Sequence, residues 1–193
     1  MKKAVFLDRD GTINDNRGDY VNKADEMELY PFAAEALSRL NKAGFIVLVV
    51  TNQGGIARGY LTVDDLDQIH QKFEADLEEN GAYVDEIYYS PYFEKGHVKP
   101  FDVKHSDRKP DIGMFRKARD KHDIDPKRSY MIGDKYTDVE FGKNAGMRSI
   151  LLLTGDGEKE FMKKRSNWKV NPDFITSDLS SAVDLILELE KND

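Results

Sequence analysis

The chain of 193 residues contains no cysteine, which removes disulfides, thiolate nucleophiles and thiolate metal sites from consideration. Positive charge is also in short supply. Lysine and arginine number 29 against 36 aspartates and glutamates, a net charge of -7, whereas nucleic-acid binding draws most of its affinity from cations that neutralise phosphates. Nucleic acid is therefore not the expected partner. Long apolar runs are missing too: Met1-Lys2-Lys3 leads into Ala4 to Leu7 and then straight into Asp8-Arg9-Asp10, too short for a secretory apolar region or a membrane span. A cytoplasmic protein without a membrane partner is expected. No heptad pattern or broad apolar stripe marks a self-association surface, and a monomer is expected.

The composition that remains, 39% hydrophobic and 34% charged, is that of an ordinary soluble globular protein, and the length suits a single domain over 1–193. Short β-rich runs at 4–7, 45–50, 86–89, 129–132, 149–153 and 173–175 alternate with segments of helical period. That alternation predicts a Rossmann-like α/β fold, a parallel sheet with helices on both faces. Phe32, Ala33, Ala36, Leu37 and Leu40 form one amphipathic face, closed by Gly44, where a helix end favours positive φ. Thr62 and Asp65 make a capping-box pattern ahead of Leu66, Ile69, Phe73 and Leu77, which predicts a helix over 62–79. Further helices are predicted over 111–122, 137–145 and 178–190. The stretch 90–109 has no clear period and carries Pro91, Gly96 and Pro100, the profile of a functional loop.

Chemistry concentrates at four predicted strand ends. Val5-Phe6-Leu7 stops abruptly at Asp8-Arg9-Asp10-Gly11-Thr12, and in open parallel sheets ligands bind beyond the carboxyl ends of strands. The second buried run ends in Thr51-Asn52-Gln53-Gly54-Gly55, where the glycines let backbone N–H groups approach an anion. Arg108-Lys109-Pro110 stands ahead of a helix with proline in its first turn, a sound phosphate position. Ile132-Gly133 ends in Asp134-Lys135-Tyr136-Thr137-Asp138. Each has a bland counterpart: a surface turn, a polar loop, a solvated basic pair, a helix cap with an acidic first turn. Their conjunction argues for function, because independent accidents rarely supply two acids, a hydroxyl, a lysine and two more acids in turn.

These residues resemble the four motifs of the haloacid dehalogenase superfamily: Asp8-Arg9-Asp10-Gly11-Thr12, Thr51, Lys109 and Gly133-Asp134-Lys135-Tyr136-Thr137-Asp138, in the same order over residues 3–155. More narrowly, Leu7 to Asn14, Thr51-Asn52-Gln53 with Gly55-Ile56-Ala57-Arg58-Gly59, Arg108-Lys109-Pro110 with Gly113-Met114, and Gly133-Asp134-Lys135 are similar to the subgroup of heptose bisphosphate and histidinol phosphatases. The resemblance implies a Mg²⁺-dependent phosphomonoesterase acting on a small phosphorylated metabolite through an aspartyl-phosphate. It implies Asp8 as nucleophile and Asp10 as general acid and base, with Thr51 and Lys109 holding the phosphoryl oxygens. Asp8, Asp134 and the backbone carbonyl of Asp10 would ligate the metal, with Asp138 in support. Asn52, Arg108, Lys135 and Arg58 would contact substrate or phosphate. A heptose bisphosphate is the leading substrate, with histidinol phosphate as the alternative.

One departure stands out. Members of that subgroup commonly carry a structural zinc loop, built from Cys-x-His and Cys-x-Cys pairs between the second and third motifs. Here the corresponding positions read Ser90-Pro91-Tyr92 and His105-Ser106-Asp107, which cannot form a thiolate site. His97, His105 and Asp107 remain as conceivable ligands, but loop histidines are commonly just solvated, and no zinc is expected. The loop is expected to be ordered by packing, with Tyr92, Phe93 and Phe101 as anchors. Only residues 9–31 and 90–108 are free to serve as insertions, so no separate cap domain is expected.

Two rival functions remain. A polynucleotide 3′-phosphatase shares Asp-x-Asp-Gly-Thr and Thr-Asn-Gln motifs, but the acidic balance argues against it. A noncatalytic phospho-ligand module could keep the fold, yet none of Asp8, Asp10, Thr51, Lys109, Asp134 or Asp138 is lost.

Overall fold

The structure is a computed structural model that describes residues 1–16 and 20–192. Part of the first expected insertion, residues 17–19, lies outside the described residues. Six parallel strands, β1 (Ala4–Leu7), β2 (Ile46–Asn52), β3 (Glu86–Ser90), β4 (Tyr130–Gly133), β5 (Arg148–Leu152) and β6 (Phe174–Thr176), form one sheet. Their order is β3-β2-β1-β4-β5-β6. Among the described residues six α-helices connect or follow them: α1 (Ala33–Lys42), α2 (Val63–Glu79), α3 (Gly113–His122), α4 (Tyr136–Ala145), α5 (Gly157–Lys164) and α6 (Leu179–Asn192).

Alternation along β1 explains the layering. Val5 and Leu7 point into one core with Leu37, Leu40, Leu66, Phe73, Val183 and Ile186, side chains of α1, α2 and α6. Ala4 and Phe6 point into a second core with Met114, Phe115, Ala118 and Phe141, from α3 and α4. A period of two in the strand thus serves two helical faces of period 3.6. Phe6 packs on Phe115 and Phe141 at ring separations of 5.6 and 6.5 Å. Each such buried side chain contributes roughly 1.5–3 kcal/mol of transfer free energy.

The expected elements are present with shifted edges. The second strand runs on through Thr51 and Asn52, which pair with Tyr89 and Ser90, so the polar tip belongs to the strand itself. The third helix starts at Gly113, not 111: Asp111 N–H bonds back to Arg108 O at 2.9 Å and Gly113 N–H to Ser106 O at 2.7 Å. Pro110 therefore precedes the helix instead of sitting in its first turn. Helix α5 was not expected, since its only buried residue is Gly157 and its sequence shows no apolar stripe. At α2 the capping box is formed, Thr62 Oγ1 accepting from Asp65 N–H at 3.1 Å and Asp65 Oδ2 accepting from Thr62 N–H at 2.8 Å. Gly44 has φ +74, at a helix end as expected, and Gly146, with φ +77, closes α4 in the same way.

Candidate active site

In strand order the chain turns back at β1, with β2 and β3 on one side and β4 to β6 on the other. The crevice at this reversal is where doubly wound sheets bind ligands. Asp8 and Asp10 follow β1, Thr51 is the penultimate residue of β2, and Asp134 follows β4, so three strand tips deliver their polar groups to one place.

Carboxylate oxygens of Asp8, Asp134 and Asp138 all lie within 4.8 Å of one another, and all three residues are buried. Asp138 reaches the cluster from the first turn of α4, where its Oδ2 accepts Lys135 N–H at 2.9 Å. Asp134 Oδ2 accepts Asp156 N–H at 2.8 Å, while its Oδ1 is buried without a hydrogen bond. Space for this crowding comes from glycine. A Cβ on Gly133 would collide with Asp138, and one on Gly11 or Gly155 with Asp134.

Against the acids stands Lys109, 3% exposed, its Nζ 3.0 Å from Asp8 Oδ1 and 2.6 Å from Asp138 Oδ1. Burial alone would lower the Lys109 pKa, but Asp138 and Asp8 more than offset that and raise it. Burial, aided by Asp8 and Asp138 and opposed by Lys135, pushes the Asp134 carboxyl up to about 8. Burial likewise raises Asp138 against the pull of Lys109. Three buried carboxylates crowded together fit a hard divalent ion such as Mg²⁺, which is bound through carboxylates and keeps waters.

Asp10 has a different environment. Arg9, with a fully buried side chain, forks onto it: Nη2 lies 2.9 Å from both carboxylate oxygens and Nε 3.1 Å from Oδ1. Asn14 Nδ2 donates to Oδ1 at 3.0 Å and Gln53 Nε2 to Oδ2 at 2.9 Å. Burial pushes the Asp10 pKa upward, but Arg9, Asn14 and Gln53 outweigh it and hold the group below its ordinary value. Gln53 also donates to Thr51 Oγ1 at 2.9 Å, joining the first two strand tips. Sequence reading had assigned no role to Arg9, Asn14 or Gln53, because one arginine between two acids looks like a solvated spacer.

A cavity of about 420 Å³ opens over the cluster, lined among others by Asp8, Asp10, Tyr20, Thr51, Asn52 and Arg108, with Lys109 and Lys135. Two of the residues expected to contact substrate make other bonds here. Arg58 is not among the residues lining this cavity: its guanidinium lies 4.0 Å from the Phe93 ring centroid and donates to Oη of Tyr20, which does line it. Asn52 borders the cavity, but its carboxamide is occupied, Nδ2 donating to Lys109 O at 3.1 Å and Oδ1 accepting Lys109 N–H at 3.0 Å. It locks the backbone that carries the lysine. Arg108 shares the Phe93 ring from 5.0 Å, and burial with the neighbouring Arg58 lowers its pKa.

Strand order and acid cluster together define a hydrolase of the haloacid dehalogenase type. The HAD-hydrolase-like family profile matches residues 106–182. A D-glycero-D-manno-heptose-1,7-bisphosphate 7-phosphatase of Thermosynechococcus vestitus is 37% identical over 189 residues, covering 96% of this chain and 95% of that protein. The D-glycero-beta-D-manno-heptose-1,7-bisphosphate 7-phosphatase of Pasteurella multocida is 40% identical, covering 87% and 91%. Among solved structures, the D,D-heptose 1,7-bisphosphate phosphatase of B. bronchiseptica, complexed with magnesium and phosphate, superposes with a TM-score of 0.82 at 30% identity, over 97% of this chain and 99% of that one. The chain belongs to this phosphatase family within the HAD-like hydrolases.

Proposed function

We propose that the protein hydrolyses the 7-phosphate of D-glycero-D-manno-heptose 1,7-bisphosphate, with Asp8 as nucleophile. The observation that carries the reading is the convergence of Asp8, Asp134 and Asp138 on one point beneath a cavity with Lys109, Arg108 and Lys135 in its wall. Asp8, Asp134 and the Asp10 carbonyl, backed by Asp138, are the groups that would hold Mg²⁺. When bound, that ion supplies positive charge for the phosphoryl oxygens.

The chemistry follows from charge. At 4 Å and an effective dielectric near 20, each unit pair of like charges costs about 4 kcal/mol, so a carboxylate attacks a phosphate dianion only where cations surround both. Lys109 serves this end and, with the Thr51 hydroxyl, holds the phosphoryl oxygens in line. An Asp8 oxygen forms the bond to phosphorus as the ester P–O bond breaks, and Asp10 gives its proton to the departing sugar oxygen. Asp10, again a carboxylate, then takes a proton from water, which attacks phosphorus and releases Asp8. Arg9, Asn14 and Gln53 favour the ionised Asp10 that this second half needs. The arriving dianion favours the protonated form that the first half needs.

Arg108 in the cavity wall, with Arg58 near enough to lower its pKa, favours a substrate with a second anionic group over histidinol phosphate, whose other end is a cation. Cofactor identity, absence of zinc and monomeric state belong to this same reading.

The test is a Mg²⁺-supplemented assay on the heptose bisphosphate, histidinol phosphate and 3′-phosphorylated DNA, with Asp8→Asn as control. Release of one phosphate from the bisphosphate is expected, lost in the variant by a factor of about 10³ or more. Correctly folded protein that turns over none of the three would end the enzymatic reading, and preference for DNA ends with a steep salt dependence would favour the polynucleotide rival.

A further inference from the structure

The loop between β3 and α3 meets the zinc expected of its subgroup with the wrong residues, and the geometry says what they do instead. Tyr92 and His105 lie face to face, ring centroids 3.9 Å apart and planes at 16°. His105 Nδ1 is occupied, accepting Asp107 N–H at 3.1 Å. The Asp107 side chain is buried, 3.5 Å from that same nitrogen, and its Oδ2 accepts from Lys117 Nζ at 2.6 Å. Ser90 is fully buried with its hydroxyl unpaired, and a neutral hydroxyl is a poor zinc ligand. The four positions thus offer a neutral hydroxyl, a ring spent on stacking, an imidazole with one nitrogen engaged, and a carboxylate already neutralised by an ammonium. They do not fit zinc.

We infer that residues 90–108 are held by a metal-independent clamp, the Tyr92–His105 stack together with the Asp107–Lys117 ion pair, and that this clamp positions Arg108 for substrate. The connections to the active site are direct. The Tyr92 carbonyl accepts from Arg108 Nη1 at 3.0 Å, so unstacking Tyr92 frees the group that aims the guanidinium. Asp107 is bonded to Arg108 in the chain, and Lys117 anchors it from the second turn of α3. Ser106 O accepts Gly113 N–H at 2.7 Å, and a Cβ on Gly113 would collide with Asp107 Oδ1, so the loop lies flush on the helix start. The clamp acts through Arg108 and touches no reacting atom, which makes Tyr92, His105, Asp107 and Lys117 positioning residues.

The claim about Arg108 rests on the bisphosphatase reading, and the experiment separates the two. Zinc content is measured on purified protein after dialysis. The Mg²⁺-loaded variants Tyr92→Ala, Tyr92→Phe, Lys117→Met and Lys117→Arg are assayed on the bisphosphate and on p-nitrophenyl phosphate, which lacks a second anion. Substoichiometric zinc is expected. Tyr92→Ala and Lys117→Met should raise KM for the bisphosphate by about ten-fold, the loss of one well-aimed charged hydrogen bond, while kcat on the aryl phosphate stays within about two-fold of the parent. Tyr92→Phe, which keeps a stacking ring and the backbone carbonyl, and Lys117→Arg should restore the parent KM. One zinc per chain that survives dialysis and disappears in His105→Ala would overturn the metal-independent clamp, and an unchanged KM in both disruptive variants would overturn its role in aiming Arg108. If Tyr92→Ala does not fold, Lys117→Met, altered at a side chain 60% exposed, still decides. If the unmodified protein hydrolyses no phosphate, the bisphosphatase reading fails alone, and amide exchange over 90–108 in Tyr92→Ala against Tyr92→Phe still decides the clamp, with faster exchange expected only in the alanine variant.

Discussion

Arg9 is the residue on which the centre turns. Its charge is wholly buried and its fork is matched to one carboxylate, so removing it leaves the Asp10 charge without a cation, held by Asn14 and Gln53 alone. Arg9→Met is expected to cost about 3 kcal/mol or more in urea unfolding and to lower kcat by freeing Asp10. Gly133→Ala acts by volume: the added methyl displaces Asp138, and both activity and Mg²⁺ affinity in calorimetry should fall. His70 offers a pH test. It is 8% exposed with Nε2 unpaired, and burial, with a smaller push from Arg9, drives its pKa down from 6.5 to about 3. The unfolded chain therefore takes up a proton below pH 6.5 that the native state refuses. Stability should be intact above that pH and decline towards pH 3 by about 1.4 kcal/mol per unit, a slope that His70→Leu removes in thermal melts at stepped pH. At this scale the acids and Lys109 were legible, because each alone passes for a turn, a cap or a solvated pair but their conjunction in one chain does not. The bonds of Gln53 to Asp10 and of Asn52 to Lys109 were not, since each depends on a partner from another strand or loop that spacing does not reveal.

Elements were legible where one face is buried and hidden where none is. Helix α2 carries Leu66, Ile69, Phe73 and Leu77 inward and announces itself by period and cap alike. Thr62→Ala should destabilise the protein by about 1 kcal/mol in denaturant melts, with activity retained. Helix α5 escaped notice because Glu158, Lys159, Glu160, Lys163 and Lys164 face no core. Strand edges moved by a residue or two for a related reason: the ladder continues as long as a neighbour offers hydrogen bonds, as Asn52 opposite Ser90 illustrates, whatever the polarity of the side chain. The start of α3 moved because bonds from the preceding loop, not proline preference, fix where the helix can begin.

For the molecule as a whole, strand order converts four separate sequence signals into one crevice, and the crossing from β3 to β4 over β2 and β1 makes that possible. The sequence pattern predicted parallel strands and two helical layers, but pairing order is set by long-range packing and cannot be read from period. A site that gathers three buried carboxylates in the native state alone should bind Mg²⁺ only when folded. At about 100 times its Kd the ion should add about 2.7 kcal/mol, read as a higher Tm that EDTA reverses and Asp134→Asn lacks. The stacked and ion-paired loop has one further effect. Residues 90–108 contain neither cysteine nor methionine, so peroxide and thiol-alkylating electrophiles find no sulfur there to attack. Catalytic competence under oxidative stress should then hold where a thiolate-built equivalent would lose its fastening.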